Sequence, residues 1–163
     1  MGKILKFPMR EQLHNFDCGV AVAWGTLRYY GETPHYLHLI KGSGVSPEDG
    51  LNPYMLMDLF RHYDLYPSLE ENKNIRYIKN EIMNDRPVIT VVQMRKEYNK
   101  SWSKTWSYGH YVAVIGFDND KLFVYDPWIG GMRSYKNEMF YDRWHDCSPE
   151  GDKYIKTCIT IDN

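Results

Sequence analysis

Apolar residues recur with two different periods along the chain, and the change falls near Pro87. Before it the spacing is helical. The run Gly19-Val20-Ala21-Val22-Ala23-Trp24-Gly25-Thr26-Leu27-Arg28-Tyr29-Tyr30-Gly31 is apolar for most of its length, which predicts a buried helix with Asp17 as its N-cap and Gly31 as its end. Thr33-Pro34 reads as the cap and first position of a short helix through Leu37, Leu39 and Ile40, broken by Lys41-Gly42-Ser43-Gly44. Asn52-Pro53 opens another, with Met55, Leu56, Leu59 and Phe60 on one face and Leu65 nearby. Ile75, Ile78, Ile82 and Met83 mark a further helix that ends before Arg86-Pro87.

After Pro87 the pattern is that of strands. Val88 to Gln93 and His110 to Phe117 are rich in β-branched residues, the type that fits a buried strand. Asp118-Asn119-Asp120-Lys121 supplies turn residues before Leu122-Phe123-Val124-Tyr125, which predicts a hairpin ended by Asp126-Pro127. A short strand from Met132 to Tyr135, a helix capped by Asn137 and running through Trp144, and a final alternating strand from Tyr154 to Ile161 complete the chain. Helices first and an antiparallel sheet second predict an α+β fold, and the absence of repeats or linkers predicts one domain over residues 1–163. The polar-aromatic stretch from Arg95 to Gly109 interrupts the sheet pattern. A loop of this length is either a lid or binding loop, or a segment pinned over the core by Trp102 and Trp106.

Composition narrows the function classes. With 20 basic and 21 acidic residues the formal net charge is −1, and no Lys/Arg run marks a nucleic-acid or anionic-membrane surface. No stretch is long and apolar enough to span a bilayer, and the N-terminus lacks a signal-peptide core, so cytoplasmic residence is the expectation. Three cysteines, Cys18, Cys147 and Cys158, are too few and too scattered for a disulfide framework. His14/Cys18 and His35/His38 have spacings that pair metal ligands on a helix, but no second pair completes a site. Neither a phosphate-cradling glycine loop nor any other cofactor motif is present, so no metal and no cofactor are expected.

The candidate chemistry centres on Cys18. Placed in the first turn of its helix, a thiol meets free backbone N–H groups and the positive end of the helix dipole, which favour the nucleophilic thiolate. Acyl-transfer chemistry at a cysteine also needs a base, a group that orients the base and donors for the oxyanion. His110 opens a strand and Asp126 closes its hairpin partner, so an antiparallel pairing brings both to one end of the sheet. Gln12, just upstream, carries an amide able to complete an oxyanion hole with the Cys18 backbone N–H. Taken singly, each has a plainer explanation: a core cysteine, a surface glutamine, a packed histidine, a turn aspartate. Their order and local contexts together fit one mechanism.

These residues resemble the papain-like cysteine peptidases, and within them the bacteriocin-processing, double-glycine peptidase family and its stand-alone relatives. The resemblance rests on Gln12, Asp17-Cys18-Gly19, Ala21 and Tyr30-Gly31, and then on His110-Tyr111-Val112-Ala113-Val114, Asp126-Pro127 and Gly130, in consistent order through residues 8–135. It implies a papain-like fold in which an N-terminal helical part packs on a C-terminal antiparallel sheet. It also implies Cys18 as nucleophile, His110 as base, Asp126 as orienting group and Gln12 as oxyanion donor. The substrate would be a peptide or protein, cut through an acyl-enzyme after small or glycine residues. Trp102, Trp106, Tyr108 and Gly109 are the expected substrate-binding residues, forming a narrow slot. The loop from Arg95 to Gly109 looks longer and richer in tryptophan than the family's usual connection, and the segment with Cys147 and Cys158 matches no motif. The same four residues also suit acyl transfer to an amine, of the transglutaminase or phytochelatin-synthase kind, and the fold alone suits a peptide-binding module.

Overall fold

A computed structural model describes residues 1–162; Asn163, the last residue of the expected domain, lies outside the described residues. A seven-stranded antiparallel sheet organises the chain. Its main path runs β2 (Tyr66–Glu70), β9 (Cys158–Asp162), β3 (Val88–Gln93), β4 (Gly109–Phe117), β5 (Lys121–Asp126) and β6 (Gly131–Lys136), and the short β1 (Lys3–Ile4) pairs with β4. β7 (His145–Cys147) and β8 (Lys153–Ile155) form a separate small ribbon.

Side chains alternate across the sheet, so each central strand feeds two cores. Ile89, Val91, Tyr111, Ala113 and Ile115 face α1 (Cys18–Tyr29), α2 (Tyr36–Ser43) and α3 (Pro53–Arg61), whose Val20, Ala23, Leu27, Leu39, Leu56 and Phe60 bury against them. Val88, Val92, Val112, Val114, Leu122 and Val124 face the other way, onto Ile78 and Ile82 of α4 (Ile75–Met83), Phe140 of α5 (Asn137–Arg143) and Trp144. Trp144 is fully buried, and its Nε1 donates to Thr90 Oγ1 at 2.7 Å and Thr157 O at 3.0 Å, so no polar atom of the indole is stranded. The architecture is α+β, with the helix that begins at Cys18 laid on the antiparallel sheet.

Several local expectations change in the structure. Asp17 precedes α1 and its carbonyl accepts from Ala21 N at 3.0 Å, but its carboxylate does not cap the helix. It is fully buried and turns back instead, accepting from Leu13 N at 3.0 Å, His14 N at 2.7 Å and the Tyr36 hydroxyl at 2.6 Å. Three donors satisfy a buried carboxylate better than one cap would. The helix does end as expected, with Gly31 in the left-handed region at φ 94° just past Tyr30.

The second helix starts at Tyr36 rather than Pro34, because His35 is still extended and Leu39 N is the first donor to its carbonyl. Asn52 caps α3 by accepting from Met55 N at 2.9 Å. Tyr66–Glu70, amid the helices, is an unexpected edge strand paired along its length with β9. The final alternating run is split into β8 and β9 at Lys156, whose φ of 48° breaks the extension. Among the described residues no helix is long and apolar enough to cross a membrane.

Candidate active site

Each half of the site is set by one regular feature. α1 begins at Cys18, so the thiol sits at the helix N-terminus, half-buried, and the Cys18 N–H has no acceptor within the helix. On the sheet, β4 and β5 pair antiparallel around the turn Asp118–Lys121, where Asp118 Oδ1 accepts from Asp120 N at 2.9 Å and Lys121 N at 2.8 Å. The two-residue period puts His110 on the face of Val112 and Val114, and Asp126 on the face of Val124 and Leu122. Both side chains therefore emerge together at the open end of the hairpin.

His110 Nε2 donates to Asp126 Oδ1 at 2.6 Å, and both side chains are nearly fully buried. With Nε2 engaged, Nδ1 is the nitrogen left for Cys18, which lines the same cleft as the ring. Burial pushes the imidazole toward neutrality, but the Asp126 hydrogen bond and the neighbouring Cys18 and Asp126 charges outweigh it and raise the His110 pKa to about 9. Burial likewise works against ionised Asp126. The bond and charge of His110, the Trp128 N–H at 2.9 Å and Arg133 Nε on Oδ2 at 2.7 Å nevertheless hold it down to about 2. Both oxygens of Asp126 are thus occupied and the carboxylate is fixed as an anion.

The cleft around these residues has two unequal parts that share Asn15, Gly109 and His110 in their walls. The narrow part, of about 230 Å³, contains Cys18 and is walled by Gly50, Leu51, Val91, Tyr111 and Asp146. The wide part, of about 710 Å³, runs past His110 and Asp126 to Trp128, Tyr135 and three arginines, Arg95, Arg133 and Arg143.

The other expected site residues fall in different places. Tyr108 and Gly109 line the cleft. Trp102 and Trp106 line neither part, so the expected aromatic slot is not where those two rings lie. The Trp102 ring covers the Arg143 guanidinium at 4.0 Å, and the Trp106 ring packs on His145 at 4.5 Å. The loop from Arg95 to Gly109 is tied down at these points and at Thr105, fully buried, whose carbonyl lies 2.7 Å from His145 Nε2. Gln12 is buried and is not among the residues lining either part, its N–H donating to Pro127 O at 2.9 Å and one amide hydrogen to His14 O at 2.6 Å. Its Oε1 is buried without a partner among the described residues. Among the described residues no three His, Cys, Asp or Glu side chains converge as metal ligands; His14 stacks on Phe16, and the His35 and His38 rings lie tilted against each other at 4.7 Å.

Sequence reasoning missed Gln93 and Asp146. Gln93 is fully buried at the end of β3, its Oε1 accepting from Tyr108 N at 2.9 Å and its Nε2 donating to His145 O at 3.0 Å and Asp146 Oδ1 at 3.2 Å. Asp146 is mostly buried, and desolvation raises its pKa to about 6 against the hydrogen bonds from Cys147 N and Gln93. Its carboxylate lies so close over Gly109 that a Cβ there would overlap it. The only local signal was Gly109 itself, a glycine directly before His110.

Comparison with known proteins bears on the family and the fold. The family model described as the Peptidase_C39 like family matches residues 4–151. No curated protein matches the chain. Among solved structures, a C39-like peptidase candidate from Bacillus anthracis is 17% identical, with a TM-score of 0.78 over 100% of this chain and 98% of that one. The peptidase domain of Streptococcus ComA, a bifunctional ABC transporter, is 18% identical with a TM-score of 0.71, covering 94% of this chain and 96% of that one. A double glycine motif protease from an AMS/PCAT transporter, in complex with its leader peptide, is 19% identical with a TM-score of 0.66 over 98% and 94% of the two chains. At such identities these structures speak for the fold, and it is the family model, spanning most of the sequence, that places the chain in the Peptidase_C39 like family of papain-like cysteine peptidases.

Proposed function

We propose that the chain hydrolyses peptide bonds through Cys18, His110 and Asp126, cutting after glycine or another small residue. The observation that carries this reading is the His110 ring, bonded to Asp126 through one nitrogen and lining, with Cys18, the narrow part of the cleft. The Cys18 thiolate attacks the scissile carbonyl carbon, and the oxyanion is held by the Cys18 N–H with the second amide hydrogen of Gln12. As the C–N bond breaks, the His110 imidazolium gives its proton to the departing amine, leaving a thioester on Cys18. Water then loses a proton to His110 and attacks the thioester, releasing the acid and restoring the thiolate–imidazolium pair. Asp126 stays ionised throughout and stabilises the imidazolium.

The small volume beside Cys18, closed by Leu51, Tyr111 and Asp146, supports a preference for glycine on the acyl side. Of the similar structures, one is a double glycine motif protease solved with its leader peptide, and we extend that substrate class to this chain as a peptide with glycine before the cut.

The test is alkylation of Cys18 by iodoacetamide at neutral pH, followed by mass spectrometry, in the wild type and in His110→Ala. Fast labelling that slows roughly tenfold or more without the imidazole is the expected result. Equal labelling in the two proteins sinks the proposed pair. Matched peptides with glycine or leucine before the cut decide the preference, which equal rates overturn.

A further inference from the structure

We infer that the wide, arginine-lined part of the cleft is an anion subsite for the leaving half of the substrate, binding a carboxylate on the amine side of the scissile bond. This rests on the roles proposed above for Cys18 and His110. The acyl group stays on Cys18, which lines only the narrow part, while the amine takes its proton from His110. The leaving chain therefore departs past His110 and Asp126 into the wide part.

The charges there do not balance. Asp126 is the only carboxylate in the wall, and both its oxygens are spent on His110, Trp128 N and Arg133. Arg143 is only 9% exposed, yet no carboxylate pairs with it among the described residues. Its Nε and Nη2 donate to the carbonyls of Gln93 at 2.9 Å and Met94 at 3.0 Å, and its plane lies against Trp102 and Tyr135. Carbonyl dipoles and aromatic faces only partly offset the loss of hydration of a buried guanidinium, so a second anion brought alongside is favoured. Arg95, exposed and laid over the Tyr108 ring at 4.1 Å, also has no acidic partner among the described residues and borders the same space. A carboxylate entering here meets donors in the planar fork geometry that suits it, with Trp128 as a half-exposed wall for the rest of the side chain or terminus.

The carboxylate has two possible sources, an Asp or Glu side chain shortly after the cut or the free C-terminus of the peptide. Four peptides separate them, all carrying Gly-Gly before the cut. Two are C-terminal amides with Glu or Gln as the second residue after it, and two are shorter Gln peptides ending there as acid or amide. Cleavage is measured with the wild type, and affinity by fluorescence polarisation with Cys18→Ala.

A carboxylate accepting charged hydrogen bonds should lower KM, and tighten binding, roughly tenfold with kcat little changed. Glu over Gln identifies the side chain, and acid over amide identifies the terminus. Arg95→Glu, at an exposed position, should bring the ratio close to one, and Arg143→Lys should weaken it while keeping the charge. If wild type cuts all four peptides equally, the anion subsite is wrong and the peptidase reading stands. If nothing is cut but the acidic peptide still binds Cys18→Ala preferentially, and loses that preference with Arg95→Glu, the subsite stands and the peptidase reading fails. Absence of both cleavage and selective binding overturns the subsite.

Discussion

The two ends of the cleft treat a buried carboxyl in opposite ways. At the wide end Asp126 receives His110, Arg133 and a backbone N–H, and is held down to about 2. At the narrow end Asp146 has hydrogen bonds only from an amide and a backbone N–H, with no Lys or Arg in the wall, and burial raises it to about 6. Depth alone does not set the state of a carboxyl. What decides is whether charge and donors arrive to replace the water that burial removes. The wide end is thus built to keep a charge, with cations to spare, and the narrow end resists one. Gln93 joins them, holding Tyr108 N on one side and Asp146 on the other.

The largest effect should come from the residues proposed to carry the chemistry between the two ends. Cys18→Ala and His110→Ala should each lower cleavage of a glycine-containing peptide by about 10⁴-fold or more, with circular dichroism unchanged. Retained turnover in either would break the proposed mechanism. Asp126→Asn should lower kcat by roughly 10²–10⁴-fold.

Asp126→Asn should also move the alkaline limb of the pH–rate profile. In the wild type the imidazolium survives until pH approaches about 9, so activity falls as pH rises through that value. Without the Asp126 charge the fall should begin at lower pH. Stability follows the same sign. The His110 contribution is complete below the ordinary histidine value of 6.5 and is lost as pH rises through about 9. The Asp126 contribution is present above the ordinary 3.8 and is lost as pH falls toward about 2.

Gln93→Ala should destabilise the fold by about 2–3 kcal/mol in urea unfolding, since it strands buried partners at both ends at once. A loss under ~0.5 kcal/mol would mean that the two ends are not tied through this side chain. The smallest effect, and the one of opposite sign, is expected at Asp146. Its folded-state pKa lies above the ordinary 3.8, so the native state is favoured at low pH and loses stability as pH rises through about 6. Asp146→Asn removes that loss. It should raise stability at pH 7–8 by on the order of 1–2 kcal/mol and flatten the dependence between the two values. A decrease at pH 8 would show that the ionised carboxylate is stabilising.

The parts of the fold that were legible in the sequence are those governed by local pattern. The apolar run after Cys18, the Asn52-Pro53 start and the strands around the Asp118 turn all depend on neighbours a few residues away. The edge strand Tyr66–Glu70 was not legible, because its stability comes from pairing with β9, far along the chain. Asp17 had the right residue type for a cap and was drawn elsewhere by Tyr36 and two loop N–H groups. Trp102 and Trp106 suited a binding slot by composition, but Arg143 and His145, from another part of the chain, hold their rings outside it.

The sequence by itself therefore determined the helix that carries Cys18, the hairpin that brings His110 to Asp126, and the family to which the chain belongs. Periodicity and turn chemistry act over short separations, and a motif needs only order and spacing. The tertiary structure alone decided which side chains wall the cleft, that Asp146 covers Gly109, and that three arginines gather past His110 with a single carboxylate among them. Those features arise where segments distant in the chain meet, and whether a buried charge is tolerated there depends on partners that no local pattern names.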